Sequence, residues 1–254
     1  MTTNLKAVLF DLDNTLIIFS ESMFYTGYLS RIAKVFEDLV PPEQFPDHLM
    51  TATLALLEND GTKSNVEFFM DTLTRLCPGP REKLWQRFLQ FYDTEYDQLE
   101  KVTSLPAGLD QVFNFFRRTD YKLVLATNPI FPLNVQHKRL AWAGLEHIPF
   151  DLITHIENMS YCKPNVGYYH EICKMIGEPP EACLMVGNDP VNDMIAARTG
   201  MKTYFTTDDK DLGQGVLHVS ASLREHSAPD VPDPDFTGPL TGVINAVETI
   251  ERTE

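Results

Sequence analysis

Histidine and cysteine are sparse in this chain. Seven histidines are scattered over 254 residues, and no two are spaced His-x-x-x-His, so a zinc site has no support. The four cysteines, Cys77, Cys162, Cys173 and Cys183, contain no Cys-x-x-Cys pair. They are expected to be reduced, packed thiols in a cytoplasmic protein, not a disulfide framework. Basic residues are outnumbered: 21 Lys and Arg against 36 Asp and Glu give a net charge of -15. That surface repels polyphosphate backbones and excludes duplex nucleic acid as a partner. A small anionic substrate is still admissible, because a local site can be positive within a negative protein. No apolar run is long enough to span a bilayer, and "MTTNLKAVLF" lacks the long apolar segment and cleavage site of a secretory signal.

The remaining composition is that of a globular chain, 43% hydrophobic and 22% charged, long enough to bury a core without a staple. "AVLF" is a short continuous apolar run, the pattern of a strand buried on both faces. From Glu21 to Val40 apolar residues recur at three- and four-residue steps, predicting a helix broken by Pro41-Pro42. "HLMTATLALLEN", "NVEFFMDTLTRL" and "REKLWQRFLQFYDTEY" predict three more helices. Strand and helix then alternate. "KLVLA", "DLITHI", "CLMVG" and "KTYFTT" read as strands, and "PAGLDQVFNFFRR", "PLNVQHKRLAWAGL", "NVGYYHEICKMIG" and "VNDMIAARTGM" as helices. Such alternation implies right-handed crossovers and a mainly parallel sheet. The expected fold is a doubly wound, Rossmann-like α/β core (1–16 and 104–254) with an all-helical insertion (17–103). The Asp- and Pro-rich stretch from Asp208 to Pro239 reads as a surface excursion, and "LTGVINAVETIE" as a closing helix.

Ligands of open α/β sheets bind beyond the carboxyl ends of the strands. Each such end carries a reactive group here. Asp11 and Asp13 follow the first strand, Thr127 and Asn128 follow "KLVLA", Lys163 lies past "DLITHI", and Asn188, Asp189 and Asp193 follow "CLMVG". Singly, each has an ordinary structural reading: a helix cap, a strand-end threonine, a loop lysine, a helix-face carboxylate. Their order and spacing carry the argument.

In that order, "DLDNT", the Thr of "LATN", the Lys of "CKPN" and "GNDPVND" resemble the four motifs of phosphatases of the haloacid dehalogenase superfamily. The helical insertion resembles the cap that the family places after its first motif. Dehalogenases of the superfamily do not need an acid two residues after the nucleophile, so "DLD" favours phosphate over halide chemistry.

The resemblance implies a Mg²⁺-dependent phosphatase acting on a small phosphorylated metabolite, as a monomer or small homo-oligomer. Two anions must meet in such a reaction. At ~4 Å and an effective dielectric of ~20 each unit charge pair repels by about 4 kcal/mol, so a cation is required. By resemblance, Asp11 attacks phosphorus to form an aspartyl-phosphate and also holds the metal. Asp13 protonates the leaving oxygen, then activates water, and offers its carbonyl to the metal. Thr127, the Asn128 backbone and Lys163 bind the phosphoryl oxygens. The fourth motif is ambiguous, because many relatives read Gly-Asp where Gly187-Asn188 stands. Asp189 is assigned to the metal, Asp193 to support from behind it, and Asn188 to hydrogen bonding. The alternatives are a phosphomutase on the same scaffold and a non-catalytic binding or regulatory protein.

Overall fold

A computed structural model describes residues 4–208 and 230–252. Six parallel strands form the central sheet in the order β5-β4-β1-β6-β7-β8. They are β1 (Ala7–Phe10), β4 (Lys122–Leu125), β5 (Leu152–Ile153), β6 (Cys183–Gly187), β7 (Lys202–Thr206) and β8 (Phe236–Gly238). The first strand lies at the centre, paired with β4 on one side and β6 on the other. All four of its residues are buried, which explains a continuous apolar run instead of an alternating one. Between the strands run α5 (Leu109–Phe116), α6 (Leu133–Trp142) and α7 (Val166–Ile176), and α8 (Val243–Arg252) closes the described chain. Two apolar layers sandwich the sheet. One holds Val8, Phe10 and Leu125, and the other holds Ala7, Leu9 and Val124, so alternate residues of each strand serve opposite layers.

The inserted segment carries α1 (Glu21–Val35), α2 (Phe45–Ala55), α3 (Asn65–Leu76) and α4 (Arg81–Thr94), followed by a tight 3-10 stretch, Tyr96–Val102. Rings cement it. Phe36 stacks on Phe45 with centroids 4.2 Å apart, and Phe88 packs on both. The two connections to the sheet pair with each other as an antiparallel ribbon, β2 (Ile18–Phe19) with β3 (Thr103–Ser104). The insertion also touches the core directly. The Asn65 and Val66 amides donate to the carbonyls of Met159 and Ile156, and Tyr161 Oη donates to the Asp60 carbonyl. The "NDGTKSN" loop is therefore seated on the segment that leads to Lys163.

Several sequence expectations shift. The first helix of the insertion ends at Val35, not Val40, because the chain tightens into a turn in which Leu39 and Val40 both donate to the Phe36 carbonyl. "VNDMIAARTGM" forms a 3-10 helix only over Met194–Thr199. The Asp189 carboxylate takes the Val191 and Asn192 amides, which holds the chain in a turn where the helix was expected to begin. The Asp208–Pro239 stretch is not wholly an excursion. Residues 209–229 lie outside the described residues, but Phe236–Gly238 returns as an edge strand beside β7. Asp235 anchors that return by accepting from the Thr203 amide and Lys202.

Candidate active site

Strand β1 ends at Phe10, and Asp11 and Asn14 set how the chain leaves it. The Asp11 amide still donates to the Val186 carbonyl of β6, so Asp11 is held as an extension of the sheet. Asn14 then adopts a left-handed φ of 57°, a conformation asparagine tolerates better than most residues. Its side-chain oxygen accepts from the Phe19 amide at 2.9 Å, which turns the chain into the linker.

Asp11 and Asp13 both line one cleft, with Thr127, Asn128, Lys163, Asn188, Asp189 and Asp193. All eight residues singled out in the sequence thus meet at one place, at the carboxyl ends of β1, β4 and β6. The sheet ladder of β1 ends at Phe10, Asp13 makes only an isolated bridge to Ile17, and the two carboxylates face different cations. Lys163 Nζ donates to Asp11 Oδ1 at 2.8 Å and to Asp193 Oδ1 at 2.6 Å. The lysine is 1% exposed, so the reading of Lys163 as a solvated loop residue fails. Burial alone would pull its ammonium down, but the two carboxylates outweigh burial and hold it well above its usual value. One ammonium cannot neutralise two carboxylates. Burial pushes the Asp193 carboxyl up to about 7 against the opposing pull of Lys163.

Glycine is required behind this triad. A Cβ on Gly187 would collide with the Asp193 carboxylate. Asp193 in turn accepts the Asp189 amide at 2.9 Å. The Asp189 carboxylate is held within its own turn, Oδ1 by two backbone amides and Oδ2 by the Asn192 side chain at 3.1 Å. Thr15 donates its hydroxyl to Asn188 Oδ1 at 3.2 Å. On the β4 side, the Thr127 carbonyl is fixed by the Tyr168 hydroxyl at 2.8 Å and lies 2.7 Å from the Thr154 hydroxyl.

Asp13 pairs with Arg139 of α6, a residue the sequence reading passed over. Arg139 is 1% exposed, and its charge sits 5.8 Å from the Phe24 ring centre and 5.7 Å from that of Phe131. Burial lowers its guanidinium to about 9. A signal existed in the sequence. Val135, Gln136, Arg139 and Leu140 share the inward stripe of α6, and two polar side chains on such a stripe mark a buried polar site.

The donor set suits a hard divalent cation. The cleft offers carboxylate, amide and carbonyl oxygen, and neither cysteine nor histidine is among its described lining residues. Nor do three His, Cys, Asp or Glu side chains converge into a closed cage among the described residues. Mg²⁺ is commonly held this way, through one or two carboxylates plus water and substrate oxygen.

A family model described as haloacid dehalogenase-like hydrolase matches residues 5–200. The chain belongs to that family. It is 27% identical over 202 residues to a phosphoglycolate phosphatase of Chromobacterium violaceum, covering 77% of this chain and 81% of the relative. A haloacid dehalogenase-type phosphatase from Thermococcus onnurineus shares the fold with a TM-score of 0.56 at 17% identity, covering 96% of this chain and 98% of the other. L-2-haloacid dehalogenase from Xanthobacter autotrophicus, with chloropropionic acid covalently bound, superposes with the same score at 16% identity and the same coverage. Phosphorus and carbon chemistry thus occur on one fold, and the fold does not choose between them. Among the described residues no helix is long and apolar enough to cross a membrane.

Proposed function

We propose that this hydrolase is a Mg²⁺-dependent phosphatase that cleaves a small phosphate monoester through an aspartyl-phosphate on Asp11. The observation that carries the reading is the pairing of two differently held carboxylates in one cleft. Asp11 is tethered by a buried ammonium, and Asp13, two residues on, faces a separate guanidinium. A haloalkane reaction has no use for the second.

Asp11, the Asp13 carbonyl and Asp189 would hold Mg²⁺, which when bound supplies the positive charge that lets a carboxylate approach an anionic phosphoryl group. Asn188 and Asp193 support that site, Asp193 by fixing Lys163 and the Asp189 amide. Thr127, the Asn128 backbone and Lys163 seat the phosphoryl oxygens. The Asp11 carboxylate forms a bond to phosphorus as the bond to the leaving oxygen breaks. Asp13 gives that oxygen its proton. Asp13 then takes a proton from water, which attacks phosphorus and frees Asp11 and inorganic phosphate. Residues 17–103 serve as a cap whose closure over the cleft excludes water.

Phosphate release from a panel of small monoesters, with and without Mg²⁺, tests the reading. Asp11→Asn should abolish turnover and the acid-stable labelling expected of a phosphoenzyme. Asp13→Asn should block turnover more than metal binding. Near-normal turnover by Asp11→Asn sinks the mechanism.

A further inference from the structure

The phosphoryl seat makes no use of Arg139. This residue is not among the described lining of the cleft, yet its guanidinium meets the carboxylate that must give and take a proton. Burying a guanidinium is costly, and folds keep one inside where it is paired. The mounting of this one is shared between the two parts of the chain. Arg139 lies on the inward stripe of α6. Its charge sits between about equal distances to Phe24 of α1, at 5.8 Å, and Phe131 of the core, at 5.7 Å. The same helix is tied to the insertion on its outer side. Asn134 Nδ2 donates to Asp93 Oδ1 at 3.0 Å, and Lys138 pairs with Asp97.

The two oxygens of Asp13 are not equivalent. The guanidinium meets Oδ1, which is buried. The side chain as a whole is 32% exposed and lines the cleft. Oδ2 is therefore the oxygen left to face the reacting groups. A guanidinium offers donors and no acceptor, so it does not share its side of a carboxyl group with a proton. A proton carried by Asp13 belongs on Oδ2.

We propose that Arg139 is a positioning residue for the acid–base step, turning the Asp13 carboxyl group so that Oδ2 carries and delivers the proton. The inference rests on the phosphatase reading above and deepens it. As Asp11 bonds to phosphorus, the bond from phosphorus to the leaving oxygen breaks. Its electron pair stays on that oxygen, which takes the Oδ2 proton. Asp13 is left as a carboxylate with Oδ1 still against Arg139. Oδ2 then takes a proton from the attacking water, so one orientation of the carboxyl group serves both steps. An arginine that only fastened α6 to the insertion would slow all substrates alike when removed.

The test is kcat/KM, which reads the formation of the phosphoenzyme, on two esters. 4-Nitrophenyl phosphate has a leaving group that departs without a proton; 2-hydroxyethyl phosphate has one that needs it. Arg139→Met should slow the alkyl ester at least about tenfold more than the nitrophenyl ester, part of the ~10²–10⁴-fold that a general acid supplies. Arg139→Lys keeps the charge but not the planar fork, and should shift the ratio the same way by a smaller factor. In an Asp13→Asn background, Arg139→Met should add little to the ratio. An unchanged ratio in Arg139→Met, or in Arg139→Lys should the methionine variant not fold, overturns the positioning and leaves the phosphatase reading standing. Equal slowing of both esters by Asp13→Asn removes Asp13 as the acid and the proposal with it. Turnover of neither ester by the folded parent overturns the phosphatase reading as well.

Discussion

Lys163→Met tests the buried charge arrangement more sharply than any activity assay. In the native protein Nζ lies 2.8 Å from Asp11 Oδ1 and 2.6 Å from Asp193 Oδ1, so those oxygens are at most about 5.4 Å apart. At an effective dielectric of ~20, two unit negative charges at that distance repel by roughly 3 kcal/mol. The variant fills the space with an apolar chain but leaves two carboxylates without their cation. Breaking a buried pair in this way costs about 3–5 kcal/mol, a large share of a typical domain's stability. The assay is urea unfolding at neutral to alkaline pH, with the midpoint read at constant slope. The pH dependence has a definite sign. Burial already raises the Asp193 carboxyl to about 7, and losing the opposing Lys163 raises it further. Between the unfolded carboxylate value of about 4 and that raised value, the native state holds a proton that the unfolded state has released. Stability of the variant therefore rises as pH falls through this window, but the parent shares that gain below about 7, so the deficit shrinks only between the variant's raised value and about 7. Adding Asp193→Asn removes one charge and should return most of the ~3 kcal/mol of repulsion. A single variant within about 0.5 kcal/mol of the parent, or a double variant no more stable than the single, refutes the reasoning.

Mg²⁺ titration by calorimetry of the Asn188→Ala, Asp189→Ala and Asp193→Ala variants should show the greatest weakening for Asp189→Ala, on the ground that a hard cation favours anionic oxygen; greater weakening in Asn188→Ala would move the ligand to that residue. Burial raises the phenols of Tyr25, Tyr28, Tyr92, Tyr96, Tyr168, Tyr169 and Tyr204, the last to about 12. These are seven of the nine tyrosines, so ultraviolet titration of the folded protein should miss those seven tyrosinates near pH ~10, where they would form in the unfolded chain. Because the native state keeps those protons and the unfolded state loses them, stability should fall as pH climbs above about 10, with those protons released cooperatively on unfolding. Asn65 is fully buried and donates to the Tyr161 carbonyl at 3.2 Å. Asn65→Ala should cost about 1–3 kcal/mol and speed amide exchange in the 59–66 segment; unchanged exchange there would deny this contact a part in seating the cap.

The sequence alone determined the parts of this protein that depend on local order. Apolar runs ending in polar residues located β1, β4 and β6 and the groups at their ends, because a strand buried on both faces has few other compositions. The bounds of α3 were legible as well, since Ser64 and Glu67 close a capping box at its start. The sense of the alternation, strand then helix, was enough for a parallel sheet.

Only the tertiary structure decided which charges face each other. Nothing in the spacing of Asp13 and Arg139, or of Lys163 and Asp193, says that each lysine or arginine will be buried against a carboxylate; that follows from how α6 and the β6 turn pack. The edge strand β8 was hidden for a similar reason. Its three residues are strand only because β7 presents an unpaired edge beside them. The far wall of the cleft combines Glu21, Tyr25 and Thr53 of the insertion with Ile130 of the core. Local propensity places each on its own element, but only the docking of the insertion on the core, through contacts far apart in the chain, brings them to one cleft.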